Sequence, residues 1–138
     1  MEEIVSASFS EEQLMMKEAV QEFIDREVWP NKERFEKKDY AFTEELMKKI
    51  GEMGFLGVSV PEVYGGLGMD FVSTMLVCDY ISGATGSLST AFGAHTGIGT
   101  LPISIYGTEE QKKKRQQAKQ KREGQKAFLK QVIPKTTV

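Results

Sequence analysis

Few residues of this sequence could do chemistry. It has one histidine, His95, and one cysteine, Cys78. A catalytic role for His95 would need a nucleophile or a metal partner, and neither accompanies it. The plainer reading is a structural, hydrogen-bonded histidine on a helix surface. Cys78 stands at helical spacing among apolar residues and reads as an ordinary buried thiol. It can close no internal disulfide, which favours a reducing compartment over secretion. Gly65, Gly66 and Gly68 could suggest a phosphate cradle, but they lack GxGxxG spacing and a following GK[ST]. They read as a tight connection that needs positive φ or close backbone approach. No cluster of metal-ligand type occurs. The residue types alone therefore name no catalytic residue, no cofactor-binding residue and no metal ligand.

Two stretches stand out by what they lack or carry in excess. Residues 87–105 hold no Asp, Glu, Lys or Arg and are interspersed with Gly93, Gly97 and Gly99. As a helix, such a stretch is normally surrounded by protein. Its glycines each lower helix propensity by about 1 kcal/mol, so a neighbouring helix or a ligand is expected to approach closely. The other stretch is KKKRQQAKQKREGQK, from Lys112 onward. Residues 1–111 carry 8 Lys+Arg against 19 Asp+Glu, a net of −11, and residues 112–138 carry 10 against 1, a net of +9. The near-neutral total of −2 hides two opposite halves. The basic run has neither interleaved aromatics for base stacking nor an apolar face for insertion. No nucleic acid is expected as partner. No run of about 18 apolar residues exists, so no membrane span is expected either. The acidic start, MEEIVSASFSEEQ, lacks the Lys and Arg of a targeting peptide, and the sequence reads as a soluble, cytoplasmic protein.

The elements that must position these stretches are helical. Ser10 and Gln13 form a capping box, after which Met16, Val20, Phe23, Ile24 and Val28 recur at helical spacing. Pro30 ends that helix at about Val28, and Trp29 is expected to pack. Residues 31–40 read as an exposed helical turn or loop. Thr43 opens a second helix with Leu46, Met47, Ile50 and Met53 on one side, and Gly51 and Gly54 near its end. The short FLGVSV stretch is too brief to imply a sheet. Asp70 caps a third helix whose inward candidates are Val72, Met75, Leu76 and Tyr80. A break over residues 82–86 precedes the uncharged helix, and TEEQ at 108–111 is a second capping box. The fold class is all-α: a helical bundle with a buried, glycine-rich central helix. Residues 1–111 form the domain, and residues 112–138 form a basic tail.

Taken in order, three segments resemble the N-terminal helical domain of the acyl-CoA dehydrogenase family. They are FSEEQLMMKEAVQEFIDREVWP at 9–30, ELMKKIGEMGFLGVSVPEVYGGLGMD at 45–70, and GATGSLSTAFGAHTGIGTLPISIYGTEEQKKK at 83–114. The resemblance implies a flavoenzyme that takes hydrogens from the α and β carbons of a fatty acyl-CoA, as in fatty acid β-oxidation. In the family a glutamate is the base and FAD accepts the hydride. Both the β-domain flavin motif, T-E-P-x-x-G-S-D, and the catalytic glutamate lie in parts of the family fold that this sequence does not match. The resemblance therefore implies a fragment that does not bind FAD and is inactive alone.

In this family the uncharged helix lines the slot for the acyl chain. Carried over residue by residue, that role falls on Thr90, Ala91, Ala94, His95 and Ile98. A hydrocarbon contributes about 0.8 kcal/mol per buried methylene, so such a slot needs small, uncharged walls. The competing reading is that these small residues only allow close helix packing. Past the GTEEQK helix the family pattern stops abruptly, which suggests a reading-frame shift or premature gene end, with a genuine short paralogue as the rival explanation. The tail is expected to be disordered. Helix faces that family members cover with other domains would be bare here, so self-association is expected. The alternative to an enzyme fragment is a non-enzymatic helical module that binds an acyl chain or a protein partner.

Overall fold

The computed structural model describes residues 9–117, and the expectations for residues 1–8 and for most of the basic tail, 118–138, lie outside them. Among the described residues there is no strand. The first helix, α1 (Glu11–Phe23), is opened by the expected capping box: the Gln13 amide donates to Ser10 Oγ, and the Gln13 side chain accepts from the Ser10 amide. Its apolar stripe, Met16, Val20, Phe23, Ile24 and Val28, is buried as the spacing predicts. The ladder then widens into a π turn over Ile24–Val28, followed by a 3₁₀ turn at Trp29–Asn31. Pro30 has no N–H to give, so a regular α ladder cannot pass through it. Trp29 is not packed away; it remains exposed. A short exposed helix, α2 (Lys32–Glu36), leads to α3 (Tyr40–Glu52).

Helix α3 starts three residues before the expected Thr43. Asp39 is the true cap: it accepts from the Phe42 amide at 3.0 Å while Arg34 holds its other oxygen at 2.7 Å. The Arg34 guanidinium also lies 3.9 Å from the centre of the Phe42 ring. Leu46 and Ile50 are fully buried, Met47 packs against the core from its edge, and Met53 is exposed. The FLGVSV stretch forms a 3₁₀ turn at Phe55–Gly57 and no strand. From there the chain doubles back on itself. Leu67, Gly68 and Met69 donate backbone bonds to Gly57, Val60 and Val58. Gly65 and Gly68 take positive φ, 78° and 65°. A Cβ on Gly66 would run into the Val60 carbonyl. Both reasons for glycine that the sequence offers, left-handed backbone and close approach, operate in this one corner.

Helix α4 (Phe71–Ala84) and α5 (Gly86–Gly93) form a tight hairpin around Thr85, whose extended backbone and side-chain oxygen cap α5 through the Leu88 amide. Ser82 and Ser89 hydroxyls bridge the two arms at 3.0 Å. The inward face of α4 is not the expected one. Val72 and Met75 are exposed, Tyr80 is half-buried, and Ser73, Val77, Ile81 and Ala84 accompany Leu76 inside. Cys78 is half-buried rather than fully interior. The second arm runs on from α5 through a π segment at Ala94–Thr100 into α6 (Leu101–Tyr106). Here too a proline, Pro102, follows the widened turns. Gly107 breaks the arm, and α7 spans residues 109–117. The expected second capping box opens it, with Thr108 and Gln111 exchanging reciprocal bonds.

The core lies where α1, α3, α4 and α5 meet, around Val20, Leu46, Ile50, Val77, Ile81, Leu88 and Phe92, all wholly buried. Each such side chain contributes about 1.5–3 kcal/mol relative to exposure. This core fixes the inner side of the α4–α5 hairpin and so decides which residues of the uncharged arm look outward.

Candidate functional site

The uncharged arm divides into two faces. Leu88, Phe92 and Thr100 are turned into the protein and buried. Of the five residues singled out from sequence, Thr90, Ala94, His95 and Ile98 are exposed and Ala91 is half-buried. Ile98 is 82% exposed, more than is usual for a large apolar side chain. The five therefore share one outward strip on the arm, as their spacing requires. The strip is helical throughout but is not sheathed in protein, contrary to the expectation for a helix apolar on all sides. The Leu88–Phe92 side alone has partners within this chain.

The strip is small and has little free hydrogen-bonding capacity. The Thr90 hydroxyl donates back to the Gly86 carbonyl at 2.8 Å, and the Thr96 hydroxyl donates to the Phe92 carbonyl at 2.9 Å. Such back-bonding satisfies the polar end of threonine locally. The glycines give a sharper indication. A Cβ placed on Gly93 or on Gly97 would meet nothing within 4 Å, and one on Gly99 would meet only the Ala94 carbonyl, at 3.5 Å. No neighbouring helix of this chain needs their lack of a side chain. The packing reading thus has no partner among the described residues, and the space the glycines leave opens outward.

No closed slot is formed by the chain itself. Two open clefts indent the surface elsewhere. One, of about 460 Å³, lies between Ser10, Glu12, Gln13, Glu62 and Asp70; the other, of about 390 Å³, lies between Phe23, Glu22, Glu27, Lys49 and Met53. None of the five strip residues lines either one. Both clefts are rimmed by carboxylates, and the cations in the second are engaged, Arg26 with Glu22 and Lys49 with Glu27 and Glu45. A flavin dinucleotide carries a pyrophosphate that seeks cations and free N–H donors. Neither cleft fits it. Among the described residues no group of His, Cys, Asp and Glu could hold a metal ion, and no helix is long and apolar enough to cross a membrane.

A second cluster, which the sequence did not announce, ties α7 to the glycine corner and to the uncharged arm. Tyr64 donates to Glu109 at 2.6 Å, and this bond holds the phenol above, and the carboxyl below, its usual range. The Lys112 ammonium lies 5.5 Å from the centre of the Tyr64 ring. Arg115 donates to the Thr100 hydroxyl at 3.0 Å, and partial burial lowers its guanidinium. Lys112 and Arg115 belong by composition to the basic run, yet α7 crosses position 111 without a break. Only the TEEQ capping box hinted at this, because it marks where a helix starts and not what it touches.

Residues 10–118 match the family model for the acyl-CoA dehydrogenase N-terminal domain. A probable acyl-CoA dehydrogenase of Bacillus subtilis is 44% identical over 106 residues, which is 77% of this chain and 18% of that protein. A mitochondrial isovaleryl-CoA dehydrogenase of Solanum tuberosum is 35% identical over 111 residues, 79% of this chain and 27% of that protein. In three dimensions the chain superposes on the crystal structure of an acyl-CoA dehydrogenase from Bacillus anthracis complexed with FAD, with a TM-score of 0.74 and 44% identity. The match covers 78% of this chain and 18% of that one. The chain thus spans between a fifth and a quarter, roughly, of the relatives it matches. Its helices, its glycine corner and its uncharged arm agree with these comparisons: the chain belongs to the acyl-CoA dehydrogenase family, as the N-terminal helical domain.

Proposed function

We propose that this chain supplies one wall of the acyl slot of a flavin-dependent enzyme that removes hydrogens from the α and β carbons of a fatty acyl-CoA, with Thr90, Ala91, Ala94, His95 and Ile98 as that wall. The observation that carries this reading is the empty space over Gly93 and Gly97 on an exposed, chargeless helix face. A helix that bears glycine's propensity cost without packing against its own chain is shaped for something outside it. A hydrocarbon suits the strip, because it asks for no hydrogen bonds and gains about 0.8 kcal/mol per methylene removed from water. Relatives named for isovaleryl-CoA fit the same chemistry with a shorter, branched chain. The base and the flavin are supplied by parts of the enzyme beyond this domain. The chain alone binds no FAD and turns nothing over. Its bare faces instead make it self-associate.

Fluorescent fatty acyl-CoA titrated into the purified chain tests the wall. Binding should tighten with acyl length and be lost in Ala94→Trp, which fills the strip without touching the buried face. If uptake is absent, or survives Ala94→Trp unchanged, the acyl wall is elsewhere.

A further inference from the structure

We infer that Arg115 is a positioning residue for this strip: through Thr100 it holds the Ala94–Thr100 segment in the shape that presents Ala94, His95 and Ile98 outward. The segment is the least self-sufficient part of the arm. It contains Gly97 and Gly99, and its widened turns run into Pro102, which offers no N–H to the carbonyl four residues before it. Thr100, its last residue, is only 2% exposed, and its hydroxyl receives the Arg115 Nη2 donor at 3.0 Å. A guanidinium gives its hydrogen bonds in a fixed planar fork, so it locates an acceptor more sharply than an ammonium does. Among the described residues no carboxylate forms an ion pair with Arg115. Its described hydrogen bond goes to Thr100.

Arg115 is itself well placed to act as an anchor. The Thr108–Gln111 capping box fixes the start of α7. One turn on, the Tyr64–Glu109 bond and the Lys112 ammonium beside the Tyr64 ring pin that helix to the glycine corner. That corner is rigid for the steric reasons given above, so the chain of support runs from Val60 and Gly66 through Tyr64 and α7 to Thr100. The run that composition marks as a solvated tail thus begins with residues that hold the uncharged arm. What the strip binds rests on the reading proposed above, but the support itself does not.

Amide hydrogen exchange on the full chain, compared among the unmodified protein, Arg115→Met, Thr100→Val and the double variant, is the test. Either substitution should speed exchange across residues 94–100 by about tenfold, the scale of one lost charge-assisted hydrogen bond. The double variant should add nothing further, since both remove the same bond. Exchange in α1 should be unchanged. Palmitoyl-CoA binding should weaken by a similar factor in each variant. Unchanged exchange at 94–100, or equal acceleration in α1, overturns the inference. If the unmodified chain binds no palmitoyl-CoA, the acyl reading fails, while the exchange comparison still decides the role of Arg115.

Discussion

Asp70 does three things with one carboxylate. It caps α4 by accepting from the Ser73 amide at 2.8 Å, it accepts from the Ser73 hydroxyl at 2.6 Å, and it receives Gln13 from α1 at 3.3 Å. The Ser73 hydroxyl is the largest cause holding its pKa below the usual carboxylate range, with the Ser73 amide next and Gln13 adding to them. A lowered folded pKa means that the unfolded chain takes up the proton first. The contribution to stability is therefore complete above the unfolded value, about 3.9, and is lost as pH falls through the folded one. Urea midpoints at about pH 6 and about pH 3 should fall more steeply for the native protein than for Asp70→Asn, which keeps the cap but cannot titrate. Equal pH dependence in the two would show that the network contributes nothing. At this scale the local signals were legible: Ser10 with Gln13, Thr108 with Gln111, and Asp70 itself are all caps over three residues. The Gln13–Asp70 and Arg115–Thr100 bonds were not, because nothing in spacing reports a pair that only the tertiary fold brings together.

Helix α4 shows why the inner face of an element can be misread when its existence is not. The sequence of α4 carries one charge, Asp79, and apolar residues on every side, so hydropathy supplies no polar stripe to set the phase. Val72 and Met75 look as suitable for the core as Val77 and Ile81, and only packing against α1 and α5 chooses. Helix α1, with Glu and Lys between its apolar positions, was read in the right phase for the same reason in reverse. The assignment has an energetic consequence. Ile81→Ala should cost about 2–5 kcal/mol in chemical denaturation, as a buried Ile truncation does. Val72→Ala, on the exposed side, should stay within about 0.5 kcal/mol. Similar losses at both positions would mean that the helix is rotated from the phase described here. The start of α3 was misplaced for a different reason: Asp39 lies in a charged stretch, where one more acid does not stand out as a cap.

At the scale of the molecule, the all-α bundle and its core were legible because a periodic apolar stripe and a capping residue leave few other folds. The open flank was not. A chargeless helix reads as covered, and the sequence of this chain cannot show that its cover lies outside the described fold. Phe71, Val72, Ile98, Ile105 and Tyr106 are all exposed. Contiguous apolar surface beyond a few hundred Å² is uncommon on a free monomer. Sedimentation velocity should therefore show mass rising with concentration, and Ile98→Glu should reduce that rise while leaving the denaturation midpoint within about 0.5 kcal/mol of the native value. A monomer at all concentrations that also ignores a hydrophobic dye would contradict the exposure described. The composition change at Lys112 was visible at once, but its meaning was not, since α7 carries the fold six residues past it.

The widened turns between Ala94 and Thr100 set a condition on length rather than on identity. A π turn accommodates one residue more than an α turn, and each residue advances a helix by about 100°. Remove any single residue there, and a regular ladder would re-form with everything downstream swung round by more than a quarter-turn. Tyr106 and the start of α7 would then face a different quarter of the bundle, and Arg115 could no longer reach Thr100. Point changes along this stretch alter the texture of one surface, whereas an insertion or deletion would re-aim the end of the domain.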